Sequence, residues 1–133
     1  MIHLFAVCKN DRFVRAIALL LGQKGVKLID TCTHPGLAKS KLLACEPRPD
    51  VVLLDANWNN HPFSGPELLA ELLNAHQPTP KIILMTHSFE ERTVKRLQGM
   101  GASGYFSRAS THPDDIFQCI KNVHEGATFF RAL

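Results

Sequence analysis

The sequence has no CxxC or HxxxH spacing, one tryptophan, one tyrosine, little net charge and no long apolar run. Each scarcity excludes a class of function. Cys8, Cys32, Cys45 and Cys119 stand far apart, and the seven histidines (3, 34, 61, 76, 87, 112 and 124) are spread along the chain. Neither set has a metal-ligand spacing, so no metal site is expected. The start Met1-Ile2-His3-Leu4 lacks a charged segment followed by an apolar signal run, and with so few cysteines the expected compartment is reduced and cytoplasmic. Apolar stretches such as residues 17–21 fall far below the roughly 18 residues of a membrane span, so we expect a soluble chain with no membrane contact. Fifteen Lys and Arg against twelve Asp and Glu leave a net charge of only +3, scattered along the sequence. That is too little for a nucleic-acid-binding surface.

What is present is ordinary globular composition: 133 residues, 45% hydrophobic and 20% charged, with eight glycines and eight prolines. This is the size of one domain. Short apolar runs of strand character recur at residues 2–8, 26–31, 51–54, 82–85 and 104–106. Between them, apolar residues follow helical spacing: Phe13, Ile17, Leu20 and Leu21; Leu37, Leu42 and Leu43; Leu68, Leu69, Leu72 and Leu73; Val94 and Leu97; Ile116, Ile120 and Val123. Gly22 and Gly25 are expected to end the first helix, and Gly126 the last. Thr111-His112-Pro113-Asp114 should open the last helix, with a capping residue, proline in the first turn and acids facing the positive end of the dipole. The runs at 51–54 and 82–85 are apolar without alternation, as burial on both faces of a parallel sheet demands. Strict βα alternation therefore gives a doubly wound sheet with helices on both faces.

In such a fold the functional crevice lies beyond the carboxyl ends of the strands. The residues placed there are Cys8-Lys9-Asn10-Asp11, Asp55, Thr86-His87 and Ser107-Arg108. No Gly-rich fingerprint follows the first strand, which argues against a dinucleotide or P-loop site.

Three segments of the first half carry a family signature: Lys9-Asn10-Asp11-Arg12-Phe13-Val14-Arg15, Asp50-Val51-Val52-Leu53-Leu54-Asp55 and Ser64-Gly65-Pro66-Glu67-Leu68-Leu69. The second half adds Ile82-Ile83-Leu84-Met85-Thr86 and Gly101-Ala102-Ser103-Gly104-Tyr105-Phe106, with a basic residue following. Over essentially its whole length the chain resembles the receiver domain of bacterial response regulators, and more narrowly the NarL/FixJ (LuxR-type) subfamily. The resemblance implies a CheY-like, flavodoxin-like (βα)5 fold: a five-stranded parallel sheet in the order 2-1-3-4-5 within a three-layer αβα sandwich. It implies a receiver over residues 1–126, with 127–133 starting a linker or tail. It also implies an aspartate that takes a phosphoryl group from a histidine kinase, an acidic pair that holds Mg²⁺, a hydroxyl and a cation that contact the phosphoryl group, and a switch aromatic. Phosphoryl transfer to a carboxylate gathers negative charge that such groups must offset. Matched residue by residue, the phosphoacceptor is Asp55, the hydroxyl Thr86, the cation Arg108 and the switch aromatic Tyr105.

The chain departs from this pattern where the metal should sit. Lys9 and Asn10 occupy the acidic pair, and Asp11 comes one residue late. A unit charge about 4 Å away contributes about 4 kcal/mol at an effective dielectric of about 20, doubled against a dication. We therefore expect weak or absent Mg²⁺ binding, no other cofactor, and Lys9 paired directly with Asp55 as a built-in cation. Arg108 offers a rigid two-point fork in place of a compact ammonium. The loop after Asp55 is about two residues longer than the family norm and carries Trp58, as a pocket cover or a partner anchor. His87 stands where the family has a small residue and should restrict access to Asp55.

Three functions follow. The leading one is an atypical receiver, part of a LuxR/NarL-type transcriptional regulator, that signals by contact with a protein partner or as a homodimer. A second keeps Asp55 phosphorylatable, by a histidine kinase, as a switch of dimerisation. A third uses the crevice as a small-ligand sensor. No nucleophile-base pair supports catalysis, and DNA contact would run only through a C-terminal helix-turn-helix domain outside these residues.

Overall fold

The computed structural model describes residues 1–56, 65–75, 79–86, 91–107 and 112–130. Among the described residues six strands and five helices alternate: β1 (Ile2–Val7), α1 (Arg12–Gln23), β2 (Val26–Cys32), α2 (Ala38–Ala44) after a 3₁₀ turn (Pro35–Leu37), β3 (Val51–Asp55), α3 (Gly65–Leu73), β4 (Lys81–Thr86), α4 (Glu91–Gly99), β5 (Gly104–Ser107), α5 (Pro113–His124) and β6 (Phe129–Phe130). The strands form one parallel sheet in the order β2-β1-β3-β4-β5-β6. This is the expected flavodoxin-like arrangement with one strand more than the five expected. None of the described helices is long and apolar enough to cross a membrane.

The alternation of side chains along a strand divides the core in two. On one face Leu4, Ala6, Leu53, Ile83, Met85 and Phe106 pack against Val14, Ile17 and Leu21 of α1 and Ile116, Cys119, Ile120 and Val123 of α5. On the other, Phe5, Val7, Val52, Leu54, Ile82, Leu84 and Tyr105 meet Ala38 and Leu42 of α2, Leu68, Leu69 and Leu72 of α3, and Val94 and Leu97 of α4. All five residues of β3 are buried, which explains the unbroken apolar run at the sheet centre.

Several boundaries differ from the sequence reading. Leu20, Leu37 and Leu43 are exposed. The buried stripe of α2 is Ala38 and Leu42, because Leu37 belongs to the preceding turn and the helical period of four starts one residue later. Gly22 lies within α1, and the turn beyond the helix is made by Gly25, whose φ of 86° favours a residue without Cβ. At the start of α5 the cap is His112, whose Nδ1 accepts the Asp114 N–H at 3.1 Å.

The sixth strand carries the packed fold past Gly126. Phe129 is buried, and its N–H donates to the Ser103 carbonyl at 3.1 Å. A short side chain at position 104 makes the approach possible. A Cβ on Gly104 would stand 3.1 Å from the Phe129 carbonyl oxygen and 3.2 Å from Ile83.

Candidate functional site

The carboxyl ends of β1, β3, β4 and β5 bring together most of the residues singled out from the sequence. Asp55 closes β3, paired with Met85 of β4, and is 1% exposed. The next residue ties the strand end down: the Ala56 N–H donates to the Met85 carbonyl at 2.9 Å. A carboxyl at that depth is sheltered from bulk solvent, where charge-charge interactions are stronger than at the surface.

Thr86 closes β4 and is also buried. Its Oγ1 lies 2.5 Å from the hydroxyl of Tyr105, itself buried on β5. The contact follows from register. Leu84 is opposite Tyr105 and Thr86 opposite Ser107, so Thr86 and Tyr105 project to the same face, where Tyr105 belongs to the core shared by α2, α3 and α4. The phenol thus has an apolar body in the core and a polar tip at the crevice.

The turn after β1 is built differently. Lys9 and Asn10 are exposed. The Asn10 Oδ1 accepts the Arg12 N–H at 3.0 Å, a local turn that satisfies an orphan donor at the start of α1. Asp11, the N-cap residue, makes no side-chain cap. Its Oδ2 accepts from Arg15 Nε at 2.7 Å, one helical turn on, and Arg15 Nη2 reaches Thr31 on β2 at 3.4 Å. The Asp11 carboxylate beside it raises the Arg15 guanidinium above its ordinary pKa.

The expected Lys9–Asp55 pair is not formed: among the described residues the ion pairs include none between these two side chains. The reason is physical. Lys9 sits on the outside of a turn whose direction Asn10 fixes, and an ammonium there keeps its hydration, which a buried partner would cost it. Asp11 does not compensate for the missing acids, since Arg15 already holds its carboxylate.

This donor set does not fit a divalent cation. Mg²⁺ asks for oxygen ligands, with one or two carboxylates among them, and the turn that should supply them presents an ammonium, a carboxamide bonded to backbone and a carboxylate paired with a guanidinium. Among the described residues no three His, Cys, Asp or Glu side chains gather as a metal site.

Trp58, His87 and Arg108 lie outside the described residues. Ser107, placed at the crevice from the sequence but given no role there, is 2% exposed at the end of β5 beside Thr86. It stands two residues after Tyr105 and shares its face. Arg15 was missed; its signal was the i, i+4 spacing from Asp11.

Comparison with known proteins agrees with this architecture. The chain is similar to the isolated receiver domain of RcsB from Salmonella enterica serovar Typhimurium, solved with the phosphomimetic BeF3- (14% identity, 98% of this chain and 93% of that one, TM-score 0.82). It is similar to the receiver of a putative response regulator NarL from Mycobacterium tuberculosis (18% identity, 94% and 97% covered, TM-score 0.78). It is also similar to a LuxR-family two-component response regulator from Aurantimonas sp. SI85-9A1 (19% identity, 96% and 87% covered, TM-score 0.82). A search of curated proteins gave no match. At these identities the structural likeness speaks for the fold, but the family model of the response regulator receiver domain matches residues 6–121, and with an aspartate closing the central strand and a threonine-tyrosine pair beside it, the chain belongs to the response regulator receiver family.

Proposed function

We propose that this receiver is an atypical member of the NarL/LuxR type, signalling by protein contact, with Mg²⁺-dependent phosphorylation of Asp55 impaired or absent. The observation that carries the reading is the turn after β1. Lys9 and Asn10 replace two carboxylates, and the one remaining acid, Asp11, is held by Arg15 at 2.7 Å. Without those ligands, phosphoryl transfer to Asp55 loses the metal that would offset charge on the transferred group. The output in this reading is a contact surface offered to a protein partner or a second copy, not catalysis, and the compartment is the cytoplasm. DNA would be reached through a helix-turn-helix domain joined to the receiver, as the LuxR-type likeness suggests.

A second reading is favoured by the other half of the site. Asp55, Thr86 and Tyr105 retain the residues of a working switch, and the Thr86–Tyr105 hydrogen bond couples the end of β4 to β5. In that reading a histidine kinase modifies Asp55, and the phosphoryl group acts on this pair to shift the population of contact-competent conformers.

Incubation with acetyl phosphate and Mg²⁺, followed by intact-mass measurement, separates the two. The leading reading expects no phosphoryl adduct on the wild type. Robust labelling that disappears in Asp55→Asn would overturn it in favour of the second.

A further inference from the structure

At the opposite, amino-terminal end of the strands a cleft of about 320 Å³ opens between the segments that lead into β3 and β4. It has a built composition. Leu42, Pro49 and Pro80 are buried and form an apolar floor, and neither proline has an N–H to present. Arg48 and His124 are exposed at the rim, Lys81 and Asp50 half-buried, with Thr79 beside them. The one acid of the lining is partly engaged by a neighbour: Asp50 Oδ2 accepts the His3 N–H at 2.8 Å and lies 3.5 Å from His3 Nδ1. Lys81 Nζ donates to the His124 carbonyl at 2.9 Å. That bond anchors the ammonium at the cleft and uses one of its three donors.

We propose that this cleft binds a small organic anion, with an apolar body against Leu42, Pro49 and Pro80 and a carboxylate or phosphate head facing Lys81 and Arg48. Its volume lies at the low end of the roughly 300–1,000 Å³ of ordinary ligand clefts, which suits a ligand of about one ring and one charged group. The lining carries two permanent cations against one carboxylate, one oxygen of which is bonded to His3, and an apolar floor beneath a few convergent polar groups is the usual build of such sites. Asp50 and Lys81 flank the starts of β3 and β4, and Asp55 and Thr86 end them. Five strand residues, roughly 17 Å, therefore separate the cleft from the phosphoacceptor position, and the proposal stands apart from the fate of Asp55.

The probes are phenyl phosphate, benzoate and, as the uncharged counterpart, benzyl alcohol, titrated into the ¹⁵N-labelled full chain. We expect one or both anions to bind with a Kd of about 1 mM or below, moving the amide signals of Arg48, Asp50, Lys81 and His124 and leaving those of Lys9, Asp55 and Thr86 in place. The preferred anion identifies the head group. Lys81→Ala and Arg48→Ala should each weaken binding about tenfold, while Lys81→Arg retains it, and an unchanged signal dispersion shows that the variants fold. The proposal is overturned by equal binding of benzyl alcohol, by anion-induced shifts confined to the Asp55 end, by absence of shifts with both anions, or by binding that survives both alanine variants.

Discussion

The two sides of the crevice were built to different rules. Asp55, Thr86 and Ser107 at the ends of β3, β4 and β5, and Tyr105 within β5, are all buried and held by strand register, and Thr86 and Tyr105 share a hydrogen bond. Beyond β1, Lys9 and Asn10 are exposed and the acid that follows is engaged with its own helix. The buried side can couple a change at the crevice to the core, because moving Tyr105 disturbs the packing of a whole face. The exposed side can change its residues with little cost to the fold. In the proposed reading the chain has lost its metal ligands and kept its switching framework, since the two lie on parts of the fold with separate energetics.

The largest test of that separation is stability. Tyr105→Ala should cost about 3–5 kcal/mol, as truncations of buried aromatics do, whereas Lys9→Ala should stay within about 0.5 kcal/mol, as for surface substitutions. Urea denaturation of the two variants measures both, and equal losses would break the comparison. Gly104→Ala comes next. Crowding the Phe129 carbonyl at 3.1 Å should cost about 1–3 kcal/mol, seen in the same assay, and should loosen β6, seen as faster amide exchange at Phe129.

Tyr105→Phe sharpens the same point at smaller scale. It keeps the ring and removes the hydroxyl that meets Thr86, so a loss of about 1 kcal/mol is expected, with the Thr86 amide signal displaced. The smallest effect concerns pH and a pair far from the crevice. Lys24 Nζ donates to Asp114 at 2.9 Å, joining the end of α1 to the start of α5, and lies 5.0 Å from the Phe117 ring centre. The hydrogen bond and charge of Lys24 lower the Asp114 carboxyl below its usual value. A carboxyl depressed by folding contributes stability that is fully present above its unfolded pKa and is lost as pH falls through the folded one. Asp114→Asn should therefore lower the melting temperature slightly at neutral pH and not at all in strong acid, because both side chains are largely exposed.

Much of this was legible in the sequence. The five βα units, the doubly wound sheet and the positions of Asp55 and Thr86 at strand ends follow from apolar periodicity and strand punctuation, while Tyr105 was singled out only by the family resemblance. Those signals record burial, and burial dominates these elements. The sixth strand was not legible, because two phenylalanines carry no period and their pairing depends on the missing side chain at Gly104, far off in sequence. Nor was the course of the turn after β1. The identities of Lys9, Asn10 and Asp11 announced a change, but whether Lys9 would face Asp55 or water depended on local hydrogen bonds at a helix start, where the Asn10 turn and the Asp11–Arg15 pair direct the chain. An exposed Lys9 bears on why Mg²⁺ binding is proposed to be weak or absent. An exposed Lys9 repels a dication less than a paired one, so missing ligand oxygens carry more of the effect than added charge.

That account is tested most directly by calorimetric titration of Mg²⁺ into the wild type, Lys9→Ala and the double variant Lys9→Asp, Asn10→Asp. It predicts no saturable binding to the wild type or to Lys9→Ala, since removing the ammonium restores no ligand, and saturable binding to the double variant. Saturable binding to the wild type or to Lys9→Ala would contradict it.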